Sequence, residues 1–252
     1  MAINEVTFNS VNFWQDLGAA LSAPISYPVP TEVKELVKIK GANGSLTEAT
    51  GYYNNIEIDA KFKVLFKRAK RQGCNTFEGM KREINLLFNR ITNPKLSFSD
   101  MNGKCYKVKT AGIGPVTKIS DYEATFEVTF NCDPFLYITS EEAAKANASS
   151  IEVSYTGDIP NAPEITIEME TGGQTHLTVN GGSLLSFETI TGETYYINKN
   201  PFSIVTDKNG KAVKSSGPIP VLSSESNTIS IGGFSGSKAS SITVCKNERY
   251  LG

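Results

Sequence analysis

The chain has 252 residues and a mass of 27.3 kDa, room for one large β domain or two ordinary ones. Its 25 Lys and Arg against 26 Asp and Glu leave a net charge of -1, which excludes a generally basic nucleic-acid coat and an acidic disordered tail. A hydrophobic content of 39% supports a packed core, while the single histidine, His176, excludes a multi-histidine metal centre and leaves one candidate base for any Ser-His or Cys-His scheme.

The N-terminal sequence MAINEVTFNSVNFW has no basic stretch followed by an apolar one, so no signal peptide is expected. No apolar run approaches the ~20 residues of a membrane span. Synthesis in a cytoplasm without membrane insertion is the expectation. The extended segment from Asn4 to Tyr27 is expected to cover a strand edge in a neighbouring molecule.

Residues 56–66 alternate, with Ile56, Ile58, Ala60, Phe62, Val64 and Phe66 on one side, which predicts a strand with one buried face. Lys61, Lys63, Lys67, Arg68, Lys70 and Arg71 in and after it form a candidate polyanion or channel patch. The period then changes. Over residues 76–91 Phe77, Met80, Ile84, Leu87, Phe88 and Ile91 fall on one helical stripe, with Thr76 as N-cap and Asn93-Pro94 as the stop. The opposite face of this helix carries Lys81, Arg82 and Asn85, a candidate assembly surface. Short strands at 96–98 and 105–110 are predicted to meet through the Asn102-Gly103 turn, and residues 121–130 alternate again. A sheet with one helix packed on it follows.

The composition shifts near residue 140. Residues 1–147 carry 18 Lys and Arg against 16 Asp and Glu, whereas residues 148–252 carry 7 against 10, with 16 serines and 12 glycines. This predicts an N-terminal domain over 1–138, a linker over 139–150 and a C-terminal domain over 151–252. In the last part IEVSY, EITIEME, THLTVN, SLLSFET, ETYYIN, FSIVTD, NTISIGG and SITVCKN recur about every ten residues, with Asn180-Gly181 and Asn209-Gly210 as hairpin turns. Regular short strands without a helical stripe predict a β-sandwich, so the whole chain reads as mainly β.

Little in the chain points to chemistry. The cysteines Cys74, Cys105, Cys132 and Cys245 form no C-x-x-C pair and read as free thiols. His176 sits in a strand pattern with no nucleophile or carboxylate beside it in sequence, and Glu164, Glu168 and Glu170 share the solvent parity of one strand. Gly112-Ile113-Gly114 and the glycines after Ile231 lack the following helix and lysine of a phosphate cradle. No catalytic residue, metal ligand or cofactor is predicted. A sugar site would need an exposed aromatic platform; Tyr155, Tyr195, Tyr196, Phe234 and Tyr250 are the candidates, and a carbohydrate-binding adhesion module is the reading of another class.

The order of features carries a resemblance. KGANGSLTEATGYY at 40–53 precedes the strand NIEIDAKFKVLF, the helix FEGMKREINLLFNRI, a short hairpin, the strand EATFEVTF and Asp133-Pro134-Phe135-Leu136-Tyr137. Gly157-Asp158-Ile159-Pro160 and Ser226-Asn227-Thr228-Ile229 mark the entry to and approach to the end of the second part. This order resembles the distal tail protein (Dit) family of long, non-contractile-tailed bacteriophages. The resemblance implies a tail-tube-like first domain and a galectin-like second domain, in a structural protein at the virion tail tip. It implies a hexameric ring with a channel through which DNA passes without sequence-specific binding. It also implies contacts with the tail tube protein, the tail-associated hub protein and receptor-binding or other baseplate proteins. A tail-tube protein is the alternative of the same kind. The galectin sugar motif is absent, since His176-x-Thr178-x-Asn180 departs from H-x-N-x-R.

Overall fold

The computed structural model describes residues 5–40, 43–182, 184–223, 225–233 and 236–251. The chain divides into two compact units. The first runs to Thr139 and takes in Leu251; the second is Ser140–Tyr250.

The first unit begins with β1 (Val6–Phe8), β2 (Val11–Asn12), the short helix α1 (Phe13–Leu17) and β3 (Ala19–Leu21). Then follow the hairpin β4 (Glu32–Lys38) and β5 (Ser45–Tyr53), β6 (Ile56–Leu65), a 3-10 turn at Phe66–Arg68 and α2 (Phe77–Asn89). The last elements are β7 (Lys95–Phe98), β8 (Lys104–Ile113), β9 (Thr117–Lys118) and β10 (Glu123–Ile138). The main sheet has the order β2-β1-β7-β8-β10-β6-β3, with β9 added on β10, and its pairings are antiparallel.

The alternation read in β6 is realised: Ile56, Ile58, Ala60, Phe62 and Val64 are buried and the residues between them exposed. On β10 the inward set is Ala124, Phe126, Val128 and Phe130. Tyr122, which has the same parity, is exposed because the strand begins after it. The strand also continues well beyond residue 130, through Pro134. Its pairing with β8 shifts between Cys132 and Leu136, and a bulge there accommodates a residue with no N–H to donate. The same bulge flips the buried parity, so that Pro134 and Phe135 are both inside.

Helix α2 follows its stripe. Thr76 accepts from the Gly79 amide at 3.2 Å, and Met80, Ile84, Leu87 and Phe88 are buried. Phe88 meets rings from the sheet and the N-terminal segment. The Phe8–Phe130, Phe13–Phe62 and Phe62–Phe126 centroids are 5.2, 4.9 and 5.0 Å apart, within the range of favourable aromatic pairs.

The N-terminal segment departs from expectation. It pairs with strands of its own chain, where cover of a neighbour's strand edge was expected. Val6, Thr7 and Phe8 pair with β7 on one side of the sheet, while Ala19, Ala20 and Leu21 pair with β6 on the other. Val6, Phe8, Phe13, Leu17 and Ala19 are core residues, and Asn4 lies outside the described residues.

The second unit contains β11 (Ala144–Ala146), β12 (Ser150–Ser154), β13 (Glu164–Thr171), β14 (Gly173–Val179), β15 (Leu185–Thr189) and β16 (Thr194–Asn200). After them come β17 (Ser203–Asp207), β18 (Ser215–Ser216), β19 (Ser226–Gly232) and β20 (Lys238–Cys245). They form two five-stranded antiparallel sheets, β11-β20-β13-β16-β17 and β12-β19-β14-β15-β18. Inward side chains of both, among them Ile167, Ile197, Ile242, Leu177, Leu185 and Ile229, make one apolar cluster, the core of a sandwich. Residues 139–150, read as a linker, are a correction: Ala144, Lys145 and Ala146 pair with Val244, Thr243 and Ile242 and form an outer strand of this unit. The final strand stays in the second unit, paired with β11 and β13.

Candidate assembly surfaces

The basic concentration after β6 dissolves into local pairs. Lys61 meets Glu127 at 2.8 Å and Lys63 meets Glu123 at 3.1 Å, both across the β6–β10 ladder. Lys67 lies 4.4 Å from the Tyr122 ring centre and Arg68 5.1 Å from that of Trp14. Lys70 donates to Gln15 at 3.2 Å, and Arg71 pairs with Glu83 at 3.0 Å. Lys61, Lys63 and Arg71 are thus matched by carboxylates, whereas Lys67, Arg68 and Lys70 meet only rings or a neutral amide.

Helix α2 keeps its polar face in solvent. Lys81, Arg82 and Asn85 are exposed and, with Glu78, Leu86 and Asn89, line a shallow groove of about 310 Å³. Half-buried Leu86 forms its apolar floor.

The hairpin β4–β5 has no signal in periodicity because neither strand has a buried side: no residue of either is buried. Leu36, Val37 and Leu46 stand exposed on it, with Ile39 just beyond. Its register places Glu35 opposite Glu48 and Val37 opposite Leu46. Directly opposed residues share a face, so two carboxylates and two apolar side chains lie together on one side, and Lys34, Leu36 and Lys38 on the other.

In the second unit the aromatic platform required for sugar does not assemble among the described residues. Tyr155 and Tyr195 are buried in the core, Tyr250 donates to Glu248, and Tyr196 lies under Lys199 with 4.6 Å from ammonium to ring centre. Phe234 lies outside the described residues. The ring that does stand in solvent is Phe202, 94% exposed at the β16–β17 turn, which sequence reasoning missed. His176 Nδ1 is 2.8 Å from Oγ of Ser186, its direct cross-strand neighbour. The three glutamates of β13 point outward into separate contacts, Glu164 with Asn247, Glu168 with Ser241 and Glu170 with Lys238. The four thiols are free, and burial pushes Cys132 up to about 12, with Asp133 adding to it.

The ends of the second unit are held by a buried carboxylate. Glu248 accepts from Lys246 Nζ at 2.7 Å, from the Thr156 amide at 3.0 Å and from the Tyr250 hydroxyl. Burial alone would raise its carboxyl, but the hydrogen bonds from Lys246, Tyr250 and Thr156 outweigh burial and hold it at about 2. Beside it Glu141 accepts from the amides of Lys246 and Asn247 at 2.8 and 3.0 Å.

Residues 14–132 match the family described as phage tail protein RIFT-related domain. The whole chain is also similar to a solved structure, the Dit protein (gp 19.1) of phage SPP1. The TM-score is 0.63 and the identity 16%, with 99% of this chain and 100% of that one covered. That structure is described as a paradigm of the hub adsorption apparatus in phages infecting Gram-positive bacteria. Residues 14–132, just under half of the chain, thus match a phage tail domain, and the whole chain has the fold of the SPP1 Dit protein. No curated protein matches this chain. The similarity extends over both units and the full length of the SPP1 Dit chain.

Proposed function

We propose that this tail protein is the distal hub of a long, non-contractile tail. Six copies close into a ring around a channel, and the second units dock components of the host-adhesion apparatus. One side of the ring meets the tail tube protein and the other the tail-associated hub protein. DNA passes through the channel without sequence-specific contacts.

The observation that carries this reading is the hairpin β4–β5. An exposed two-stranded ribbon with Leu36, Val37 and Leu46 in water is marginal by itself and calls for a partner surface. A ribbon on one copy meeting a different surface on the next is a heterologous contact, which generates rings when the rotation closes. The absence of an aromatic platform among the described residues of the second unit favours protein docking over direct sugar binding.

The mass of the purified full chain in solution, with electron micrographs, tests the proposal. Six chain masses and annular particles are the expected result. A strictly monomeric species at high concentration, without rings, overturns it.

A further inference from the structure

We infer that the acidic face of the β4–β5 hairpin docks on the outer face of α2 in the neighbouring copy, with Glu35 and Glu48 paired to Lys81 and Arg82. This rests on the ring reading above and names the surfaces that build it.

The hairpin states its own requirement. Glu35 and Glu48 are direct cross-strand partners, and such neighbours hold their Cβ atoms about 4.5–5.5 Å apart. Two carboxylates so placed repel each other and weaken the ribbon that carries them. Both are exposed, and among the described residues neither is in an ion pair. A cation pair from outside turns this repulsion into attraction, and the ribbon is then most stable when docked.

The other half of the match is on α2. Lys81 and Arg82 are adjacent and exposed, with no ion pair among the described residues. Arg71, by contrast, is already engaged with Glu83 of the same helix. The apolar parts correspond as well. Val37 and Leu46, 40% and 57% exposed, share the face of the two glutamates, while Leu86 floors the groove beside Lys81 and Arg82. Each surface therefore offers an apolar patch edged by charge, two carboxylates on the hairpin against two cations on the helix, with Glu78 in the first turn of the helix as a like charge at the groove's end. The surfaces differ, so one copy uses its hairpin on one side and its helix on the other, which suits a ring. The hairpin's reverse face, with Lys34 and Lys38, would be repelled by the same groove, so the docked orientation is fixed.

Two double variants test this, Glu35→Lys with Glu48→Lys and Lys81→Glu with Arg82→Glu, each checked for an unchanged melting temperature. Each alone should raise the dissociation constant of the ring at least tenfold. Mixing the two restores rings of alternating copies, since lysine hairpins then meet glutamate helices and glutamate hairpins meet lysine-arginine helices. One chain carrying all four changes should assemble too. Where a reversed chain does not fold, Glu35→Gln with Glu48→Gln and Lys81→Gln with Arg82→Gln read the same surfaces through weakened assembly. Either double variant, reversed or neutral, assembling like the unaltered chain overturns the inference and leaves the ring intact. Two defective reversed variants that neither mix nor combine into rings overturn the pairing. An unaltered chain that forms no ring overturns the ring reading itself.

Discussion

The side chain of Asn9 donates to the carbonyl of Arg90 at 2.8 Å, closing the C-terminal end of α2 from the other end of the unit. Its Nδ2 also reaches the Leu87 carbonyl at 3.1 Å, and its Oδ1 accepts from the amides of Thr92 and Asn93, each at 2.8 Å. The backbone of Asn9 is left-handed, φ 52°, a conformation asparagine tolerates better than most residues. One nearly buried amide thus satisfies helix carbonyls and turn amides that would otherwise lose their water without replacement. Asn9→Ala should cost about 2–4 kcal/mol in urea unfolding, since several buried partners lose their hydrogen bonds together. A variant within about 0.5 kcal/mol of the parent would show that water replaces the amide.

That contact shows why the first unit was only partly legible. β6, β10 and α2 each bury one side, so their periods of two and 3.6 are written in the chain. The segment from Val6 to Leu21 is broken into pieces of two to five residues, too short for a period, and its main ladder partners are distant in sequence, Val6 with Phe98 and Leu21 with Phe62. β4 and β5 bury neither face, and β11 is three residues long. The outward face of α2 could be read from its stripe. The opposition of Glu35 and Glu48 could not: Asn43-Gly44 marks a turn between the two strands, but neither strand has a buried face to set their register.

Ile84 is fully buried in the middle of the α2 stripe. Ile84→Ala should cost about 2–4 kcal/mol, because the fold cannot fully collapse on the space left. Melting of the first unit reports it, and an unchanged midpoint would remove α2 from the core.

Gly18 ends α1 with φ 64°, and a Cβ there would lie 2.6 Å from the Leu65 carbonyl oxygen and 2.9 Å from the Ala69 amide. Gly103 has φ 77° with open space around it. Gly103→Ala carries only the left-handed penalty, about 1 kcal/mol. Gly18→Ala adds a collision with backbone on both sides and should lose clearly more, about 2–4 kcal/mol. Equal losses at the two sites would mean that the chain after β6 moves aside freely.

The second unit should fold as residues 140–250 and less well as 151–252. The shorter piece lacks β11, which covers the edge of β20, and Glu141, which accepts from the amides of Lys246 and Asn247. Both fragments can be compared by chemical-shift dispersion and thermal melting. A shorter fragment as stable as the longer one would restore residues 139–150 to the role of a linker.

Glu248 sets how the same unit responds to acid. It is 1% exposed, and its carboxyl is held at about 2 in the folded state against an ordinary 4.5. A carboxyl depressed on folding stabilises the fold fully above its unfolded value, because the unfolded chain then gains no extra proton. Below about pH 4.5 the unfolded chain takes up a proton that the fold refuses, and stability falls until about pH 2. A shift of this size is worth about 3 kcal/mol. Glu248→Gln removes the titrating group, so its stability should change less between pH 4.5 and pH 2. It should also start lower at neutral pH, with Lys246 left without its carboxylate. Glu170→Gln is the comparison: Glu170 also pairs with a lysine, Lys238, but both side chains are more than half exposed, and such a pair adds little. Urea unfolding of the 140–250 fragment at several pH values separates the two. An acid limb equally steep in the Glu248→Gln fragment and the parent would place the acid sensitivity in other carboxylates.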